Sequence, residues 1–335
     1  MNFIYSWNAD ISFFHEEKEV LGFLCYNKKI TGKGPAEREY IMSICNLCPR
    51  ACKIERKISV KDKGNVGYCR SAMLPVISRA ALHHWEEPCI AGSRGAGTVF
   101  FAGCNLSCVY CQNYEISEMR KGIEVSVERL REIYFELIAK GAHNIDLVTP
   151  THYTHAIFQS LRDPLGGYES VHTVAFLRNK VQCWLPDLKY ADSSAAARYS
   201  DAPDYFEKAT AAIEQMFRQT GPYEIDSSGI LRKGVLIRHL ILPGQVENTK
   251  KVLEYVAGTF APGEVLFSLM RQYVPCGRAA EYPEINRPIT DEEYEECESY
   301  MEELGIVDGY VQQKASSDKT FIPAFDGTGV LKREE

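Results

Sequence analysis

The residues best suited to chemistry are three closely spaced cysteines, Cys104, Cys108 and Cys111. They follow a short apolar run and Gly103, so the sequence predicts a strand that ends in a loop presenting three thiols. Iron–sulfur cubanes are held by cysteine thiolates. Because the next cysteine is Cys183, we expect three ligands and one iron with an open position, as in a reactive centre. A zinc site, or cysteines that only pack in the core, is the alternative.

The context of these cysteines also resembles a known family. Cys-x-x-x-Cys-x-aromatic-Cys after a first strand resembles the signature of the radical S-adenosylmethionine (SAM) superfamily. The segment from Cys108 to Ser117 is similar to the pyruvate formate-lyase activating enzyme-like branch, and the resemblance extends over residues 40–315. It implies a partial (β/α)6 TIM-like barrel with a [4Fe-4S] cluster and SAM as cofactors. It also implies a low-potential electron donor, such as ferredoxin or flavodoxin.

Three functions remain open on this basis. The resemblance implies a radical SAM oxidoreductase that cleaves SAM reductively and abstracts hydrogen, first of all from a protein substrate with a glycyl radical site. The second function is a radical SAM enzyme that acts on a small molecule or another peptide. The third is a non-catalytic iron–sulfur electron carrier, which the missing fourth cysteine disfavours.

A second set of four cysteines precedes the first: Cys45, Cys48, Cys52 and Cys69. We refer to this segment, Cys45–Cys69, as the cysteine knuckle, because Cys-x-x-Cys is a common metal-binding spacing. Four thiolates suit either a structural zinc ion or an auxiliary iron–sulfur cluster, and free cysteines are the alternative. Cys89 is a weaker candidate for a fourth ligand of the main cluster. The polar stretch 83–97 around it predicts either the mouth of the site or a hairpin that covers a barrel end.

The order of the elements predicts an α/β fold. Strands that alternate with helices indicate a parallel sheet. The predicted features are Ser126 as a helix cap, strands at 144–148, 181–186, 234–242 and 265–270, helices at 154–161 and 204–220, Asn248 as a helix cap, and a capping box at 290–293. The resemblance implies an apolar third strand before the turn at Gly166, but the chain runs from Leu161 to Gly166 without an apolar segment. We therefore expect an abbreviated or lost third strand and weak SAM binding. We divide the chain into an N-terminal extension (1–92), a partial barrel (93–315) and a C-terminal tail (316–335).

Ligands of parallel sheets bind at the carboxyl ends of the strands, which selects further residues. Thr149, Thr151 and His152 follow a predicted strand and are pocket candidates. Further along the chain, alternation places Asp187 and Lys189 on one face. The resemblance implies that this Asp-x-Lys contacts SAM, whereas a surface ion pair is the alternative.

Additional cofactor-binding candidates lie on other predicted strands and loops. Charged or polar side chains within or after apolar strands select Arg238, His239, Gln272 and Tyr273. The resemblance alone implies that Tyr110 and Asn113 flank the adenine of SAM.

The composition of the chain disfavours several classes of partner. The chain has 335 residues, 45% of them hydrophobic, and a formal net charge of -7, which disfavours a nucleic-acid partner. We expect no membrane partner, because no run of 18 apolar residues is present. The N-terminus lacks the pattern of a signal peptide, so we expect a cytoplasmic protein. Twelve cysteines in a reducing compartment indicate metal rather than disulfides.

Overall fold

The computed structural model of the chain describes residues 2–6, 44–161, 181–312 and 322–332. The strands are β1 (Asn2–Ser6), β2 (Val76–His83), β3 (Ala96–Phe101), β4 (Ile123–Glu124), β5 (Asn144–Val148), β6 (Cys183–Leu185), β7 (Glu224–Ile225), β8 (Leu231–Leu240), β9 (Leu266–Met270) and β10 (Gly309–Val311). The α-helices are α1 (Pro88–Ala91), α2 (Tyr114–Ser117), α3 (Val127–Ala139), α4 (Thr154–Leu161), α5 (Ser193–Ser200), α6 (Tyr205–Thr220), α7 (Val246–Thr259) and α8 (Asp291–Glu303).

The strands form one mixed sheet in the order β10-β9-β8-β6-β1-β5-β3-β2-β4, and β7 pairs with β8. The pairs β3–β5, β6–β8, β8–β9 and β9–β10 are parallel. The predicted α/β class with a parallel sheet is therefore confirmed. Within the described ranges, no pairing joins the edge strands β10 and β4 into a closed barrel.

The N-terminal strand occupies the centre of this sheet. β1 runs antiparallel to both of its neighbours, with Ile4 opposite Asp146 of β5 on one side and Cys183 of β6 on the other. It therefore covers backbone edges of β5 and β6 that would otherwise need other hydrogen-bonding partners. The predicted loss of a third strand concerns residues 162–180, which lie outside the described ranges.

Two of the three predicted helix caps form at the expected residues. The hydroxyl of Ser126 accepts a hydrogen bond from the Arg129 N–H and begins α3. Thr290 and Glu293 form a reciprocal capping box at the start of α8. Asn248 is the exception, because α7 begins two residues earlier and its N-cap is Gln245. None of the helices in the described ranges combines the length and the apolar character needed to cross a bilayer.

The core lies on both faces of the sheet. The larger apolar cluster includes Val99 and Phe101 of β3 and Leu130 of α3. A smaller cluster contains the beginnings of β3 and β6, and Cys89 of α1 is fully buried in it beside Cys183. Since Cys104 follows the other end of β3, the prediction of Cys89 as a fourth cluster ligand is wrong.

We expect Ile4→Pro to lower the melting temperature by several degrees, whereas Ile4→Ala should have a smaller effect. Proline removes a backbone donor from a central strand, where the N–H group takes part in the sheet. Thermal unfolding followed by circular dichroism measures both variants. Equal melting temperatures for the two variants would show that β1 does not hold the centre of the sheet.

Candidate functional site

The three central cysteines lie in one loop after β3, which we call the cysteine loop (Cys104–Cys111). The turn into the loop is made at Gly103, which has a φ of 88°. A Cβ atom at this position would also collide with Ser71 Oγ and would lie 3.0 Å from the backbone oxygen of Cys69. Both the backbone conformation and the lack of space therefore require glycine.

Each thiol of the cysteine loop accepts a hydrogen bond: Cys104 from the Leu106 N–H at 3.4 Å, Cys108 from Ser200 Oγ at 2.9 Å, and Cys111 from Ser117 Oγ at 3.3 Å. Such bonds favour the thiolate, which is the form that binds metal. Burial acts against them and, together with charge on the other two thiols, raises the pKa of Cys104 to about 12. Burial also raises the pKa of Cys108, and the charge of Lys189 opposes this shift. Charge on one thiol thus shifts the pKa of another, which shows that the three thiols lie close together.

A chain of buried hydroxyl groups ends at the second cysteine. Tyr110 Oη lies 2.6 Å from Tyr190 Oη, which lies 2.8 Å from Ser200 Oγ. Ser200 is fully buried and donates to Cys108, so Tyr190 donates to Ser200 and Tyr110 donates to Tyr190. The chain fixes the orientation of the Ser200 hydroxyl toward the sulfur.

The Asp-x-Lys motif lies beside the cysteine loop. Lys189 Nζ is 2.7 Å from Asp187 Oδ2, and Arg238 Nε is 3.1 Å from Asp187 Oδ1. Burial alone would raise the pKa of Asp187, but the two cations outweigh it and hold this pKa well below its usual value. Lys189 has 18% of its side chain exposed, so the pair is a buried one rather than a surface ion pair. Asp187 and Lys189 therefore provide a fixed anion and a fixed cation next to Cys108.

Arg238 connects this motif to the segment before α1. Its Nη1 is 3.0 Å from Glu86 Oε2 and 3.9 Å from Glu87 Oε2, and both carboxylates are largely buried. Burial raises the pKa of Glu87, while Arg238 lowers it and Glu86 raises it. The stretch 83–97 was predicted to form either the mouth of the site or a covering hairpin. Its Glu86 and Glu87 side chains lie in the interior.

His239, the next residue of β8, faces the helices. His239 is fully buried, with Nδ1 2.6 Å from the Leu188 backbone oxygen and Nε2 2.9 Å from Thr249 Oγ1 of α7. Asn248 also holds this turn, since its Oδ1 accepts from the Ala191 N–H at 2.8 Å. The structure therefore places His239 behind the Asp187–Lys189 turn, where it supports that turn and does not face the cysteine loop.

The residues after β5 lie close to the start of the cysteine loop. Thr149 has a φ of 58°, which is unusual for a β-branched residue and occurs most often at functional sites. Thr151 is buried at the start of the next helical turn. His152 Nε2 donates to the Ala102 backbone oxygen at 2.8 Å, and burial lowers the pKa of His152 to about 3. The imidazole is therefore neutral.

Of the remaining candidates, Tyr273 and Asn113 lie beside the cysteine loop. The Tyr110 and Tyr273 rings are 5.8 Å apart, and Tyr273 donates its hydroxyl proton to the Ile285 backbone oxygen at 2.7 Å. Gln272 follows β9, and its Nε2 is 3.7 Å from the Met270 sulfur. Asn113 is the N-cap of α2, two residues after the last cysteine of the loop.

The cysteine knuckle is a segment of turns joined by isolated backbone bridges, among them the bridge between Arg56 and Asn65. Cys52 Sγ accepts a hydrogen bond from the Tyr68 N–H at 3.3 Å. A Cβ atom on Gly67 would lie 3.1 Å from Cys52 Sγ and 3.8 Å from Cys69 Sγ, so these two sulfurs face the same space. Burial raises the pKa of Cys45, and charge on Cys69 and Cys52 raises it further.

Within the described part of the chain, no group of three or more histidine, cysteine, aspartate or glutamate side chains is arranged to hold a metal ion. The donor chemistry nevertheless fits an iron–sulfur cluster at the cysteine loop. Three neighbouring thiols each have a hydrogen-bond donor, and Lys189 supplies a positive charge close to Cys108.

Several residues of this site were not predicted from the sequence. Ser200 and Tyr190 carry no motif of their own, and their importance follows only from their contacts with Cys108 and Tyr110. Cys276 belongs to a loop that packs on the cysteine loop, since the Arg278 N–H donates to the Val109 backbone oxygen at 2.6 Å. Arg50 and Arg56 of the cysteine knuckle were also missed.

Asp187→Asn should lower the free energy of unfolding by about 3 kcal/mol, because it leaves the buried charges of Lys189 and Arg238 without their shared partner. Glu224→Gln breaks an exposed pair with Lys233 and should change it by less than about 1 kcal/mol. Urea denaturation measures both. A similarly small effect for Asp187→Asn would contradict a buried charge network.

His239 should make stability depend on pH. Burial lowers its pKa in the folded state from 6.5 to about 4. The unfolded chain therefore binds the proton more readily, so the stabilising contribution is complete above pH 6.5 and is lost as the pH falls toward 4. We expect His239→Gln to flatten the dependence of the melting temperature on pH in this window. The exposed His84 offers a control, and an equal slope for His84→Gln, His239→Gln and wild type would contradict the assignment.

Comparison with known proteins adds one relative. No family model matches the chain. The chain is similar to the uncharacterized protein MJ0674 of Methanocaldococcus jannaschii, with 25% identity over 287 residues. The match covers 79% of this chain and 76% of the relative, so the similarity spans most of both proteins.

Proposed function

We propose that the protein is a radical SAM oxidoreductase of the pyruvate formate-lyase activating enzyme-like type. In this proposal, Cys104, Cys108 and Cys111 hold a [4Fe-4S] cluster that has one open iron position for SAM. The observation that carries it is the group of three neighbouring thiols after β3, each with a hydrogen-bond donor and with the Asp187–Lys189 pair beside it.

The sheet supports this proposal. The cysteine loop follows β3, the Thr149–His152 turn follows β5, and Asp187 follows β6. In a parallel sheet these strand ends form one edge, where ligands bind. We propose that the parallel strands belong to a partial (β/α)6 TIM-like barrel of the radical SAM type.

The residues of the chain have distinct roles in this proposal. Lys189 binds the carboxylate of SAM, and Asp187, held by Arg238, binds its ribose hydroxyls. Tyr110 and Asn113 flank the adenine. A bound cluster and SAM together supply a one-electron reductive cleavage that yields a radical able to abstract hydrogen. The protein orients SAM and excludes water, and the buried hydroxyl chain at Ser200 sets the environment of Cys108.

The substrate and the partners are proposals of the same kind. The first candidate substrate is a protein with a glycyl radical site, and the electron donor is a low-potential protein such as ferredoxin or flavodoxin in the cytoplasm. We propose that the cysteine knuckle holds a second metal centre, either zinc or an auxiliary iron–sulfur cluster. The paired sulfurs of Cys52 and Cys69 and the N–H bond to Cys52 support this second centre.

Anaerobic reconstitution with iron and sulfide, followed by dithionite and SAM, tests the proposed activity. We expect wild type to release 5′-deoxyadenosine. In Cys108→Ala the rate of release should fall about a hundredfold, because the cluster lacks a ligand. Cys297→Ala, a buried cysteine of α8, is the matched control and should retain activity. No 5′-deoxyadenosine from wild type, together with a cluster spectrum that SAM leaves unchanged, would favour an electron carrier.

Ser200→Ala should make the reduction potential of the cluster more negative. The variant removes the hydrogen bond to Cys108 Sγ, and hydrogen bonds to cluster sulfurs raise the potential. A bond worth about 1 kcal/mol corresponds to roughly 40 mV for one electron. A redox titration followed by electron paramagnetic resonance (EPR) measures the change, with the exposed Ser194→Ala as control. An unchanged potential would show that Cys108 is not a cluster ligand in contact with Ser200.

A further inference from the structure

The cysteine knuckle packs directly against the start of the cysteine loop. Gly103 leaves no room for a side chain because the backbone oxygen of Cys69 and the hydroxyl of Ser71 are in contact with it. The last cysteine of the knuckle and the first cysteine of the loop therefore lie on neighbouring segments. Any movement of one segment must displace the other, because protein interiors are close-packed.

Arg50 of the knuckle joins two separate parts of the site. Its Nε donates to the Asn105 backbone oxygen at 2.9 Å, and its Nη2 donates to the Ser200 backbone oxygen at 3.3 Å. Its Nη1 donates to the Asp201 backbone oxygen. Asn105 directly follows the first cysteine of the loop, and Ser200 donates its hydroxyl proton to the second. One guanidinium group thus fixes the main chain at both places.

The position of Arg50 is itself set by the knuckle. Its guanidinium lies 3.9 Å from the centre of the Tyr68 ring, and only 15% of its side chain is exposed. The Tyr68 hydroxyl donates to Asp201 Oδ2 at 2.8 Å, and the Tyr68 N–H donates to Cys52 Sγ. The same residue therefore contacts a knuckle thiol, the arginine and the end of α5.

A second arginine links the knuckle to the end of β5. The buried Arg56 donates to the backbone oxygens of Ser71, Ala72 and His152. His152 in turn donates to the backbone oxygen of Ala102, two residues before the first cysteine of the loop. Planar guanidinium groups suit this use, because they offer several donors in a fixed geometry.

We infer that Arg50 is a positioning residue of the cluster site, and that the cysteine knuckle acts through it as a clamp on the cysteine loop and on the end of α5. This inference rests on the proposed function for its effect on a cluster. Arg50 binds backbone oxygens, Asp201 and Tyr68, so it acts on the thiols only through the main chain. Its loss should therefore loosen two of the three thiol environments together.

Hydrogen exchange of the protein as isolated tests the clamp without any cluster. We expect Arg50→Gln to speed amide exchange on the order of tenfold in both residues 104–111 and residues 198–201, because several charged hydrogen bonds are lost. Exchange in α8 should not change. Lys57→Gln is the matched control, since Lys57 donates only to the backbone oxygens of Val60 and Asp62 in its own segment. Unchanged exchange in Arg50→Gln, either in the cysteine loop or at the end of α5, would overturn the inference.

EPR of the reconstituted and reduced protein tests the effect on the cluster. We expect Arg50→Gln to bind iron as wild type does but to show a broadened signal and a more negative potential, as the Ser200 hydrogen bond loosens. Arg50→Lys should restore part of the wild-type signal, because lysine can reach one of the carbonyls. A wild-type signal and potential in Arg50→Gln would overturn the positioning role. Failure of wild type to assemble any cluster would instead overturn the proposed function.

Discussion

The charge balance around Arg238 is the interaction on which the interior of the sheet depends. This buried cation contacts Asp187 after β6 and Glu86 before α1, so it joins segments that are distant in sequence. Burial of charges costs free energy, and ion pairs of this kind are often no more stable than apolar residues of the same size. Because each of these charges has a partner at hydrogen-bond distance, the network holds Asp187 and Arg238 in fixed positions within the interior.

The fold could be predicted from the sequence wherever local patterns decide the structure. The strand at 144–148, the helix at 154–161 and the capping box at Thr290 match their predicted positions because periodicity and caps are local properties. The short β10 was missed, since three residues carry too little pattern. The place of β1 between β5 and β6 could not be predicted, because it depends on pairing between distant segments.

The sequence selected the cysteines and the Asp-x-Lys motif of the candidate site, but it did not select the residues that support them. Cys108 and Asp187 have recognisable spacing, so they could be selected from the sequence alone. Ser200 and Arg50 act through one hydroxyl and one guanidinium group that reach across distant segments, and serine and arginine at such positions are usually solvent-exposed. Arg238 and His239 are neighbours with the same sequence context, yet alternation along β8 sends one toward Asp187 and the other toward α7.

The thiol pKa values indicate how the cysteine loop would behave during cluster assembly. Burial raises the pKa values of the Cys104 and Cys108 thiols, so it favours their protonated forms at neutral pH. Metal ligation requires the thiolate form, so assembly must release these protons. The hydrogen-bond donors at each sulfur and the charge of Lys189 are already oriented to stabilise the negative charge that then develops. The hydroxyl chain and Arg50 maintain that orientation, so in the proposed function residues distant from the cluster would favour ligation without contacting it.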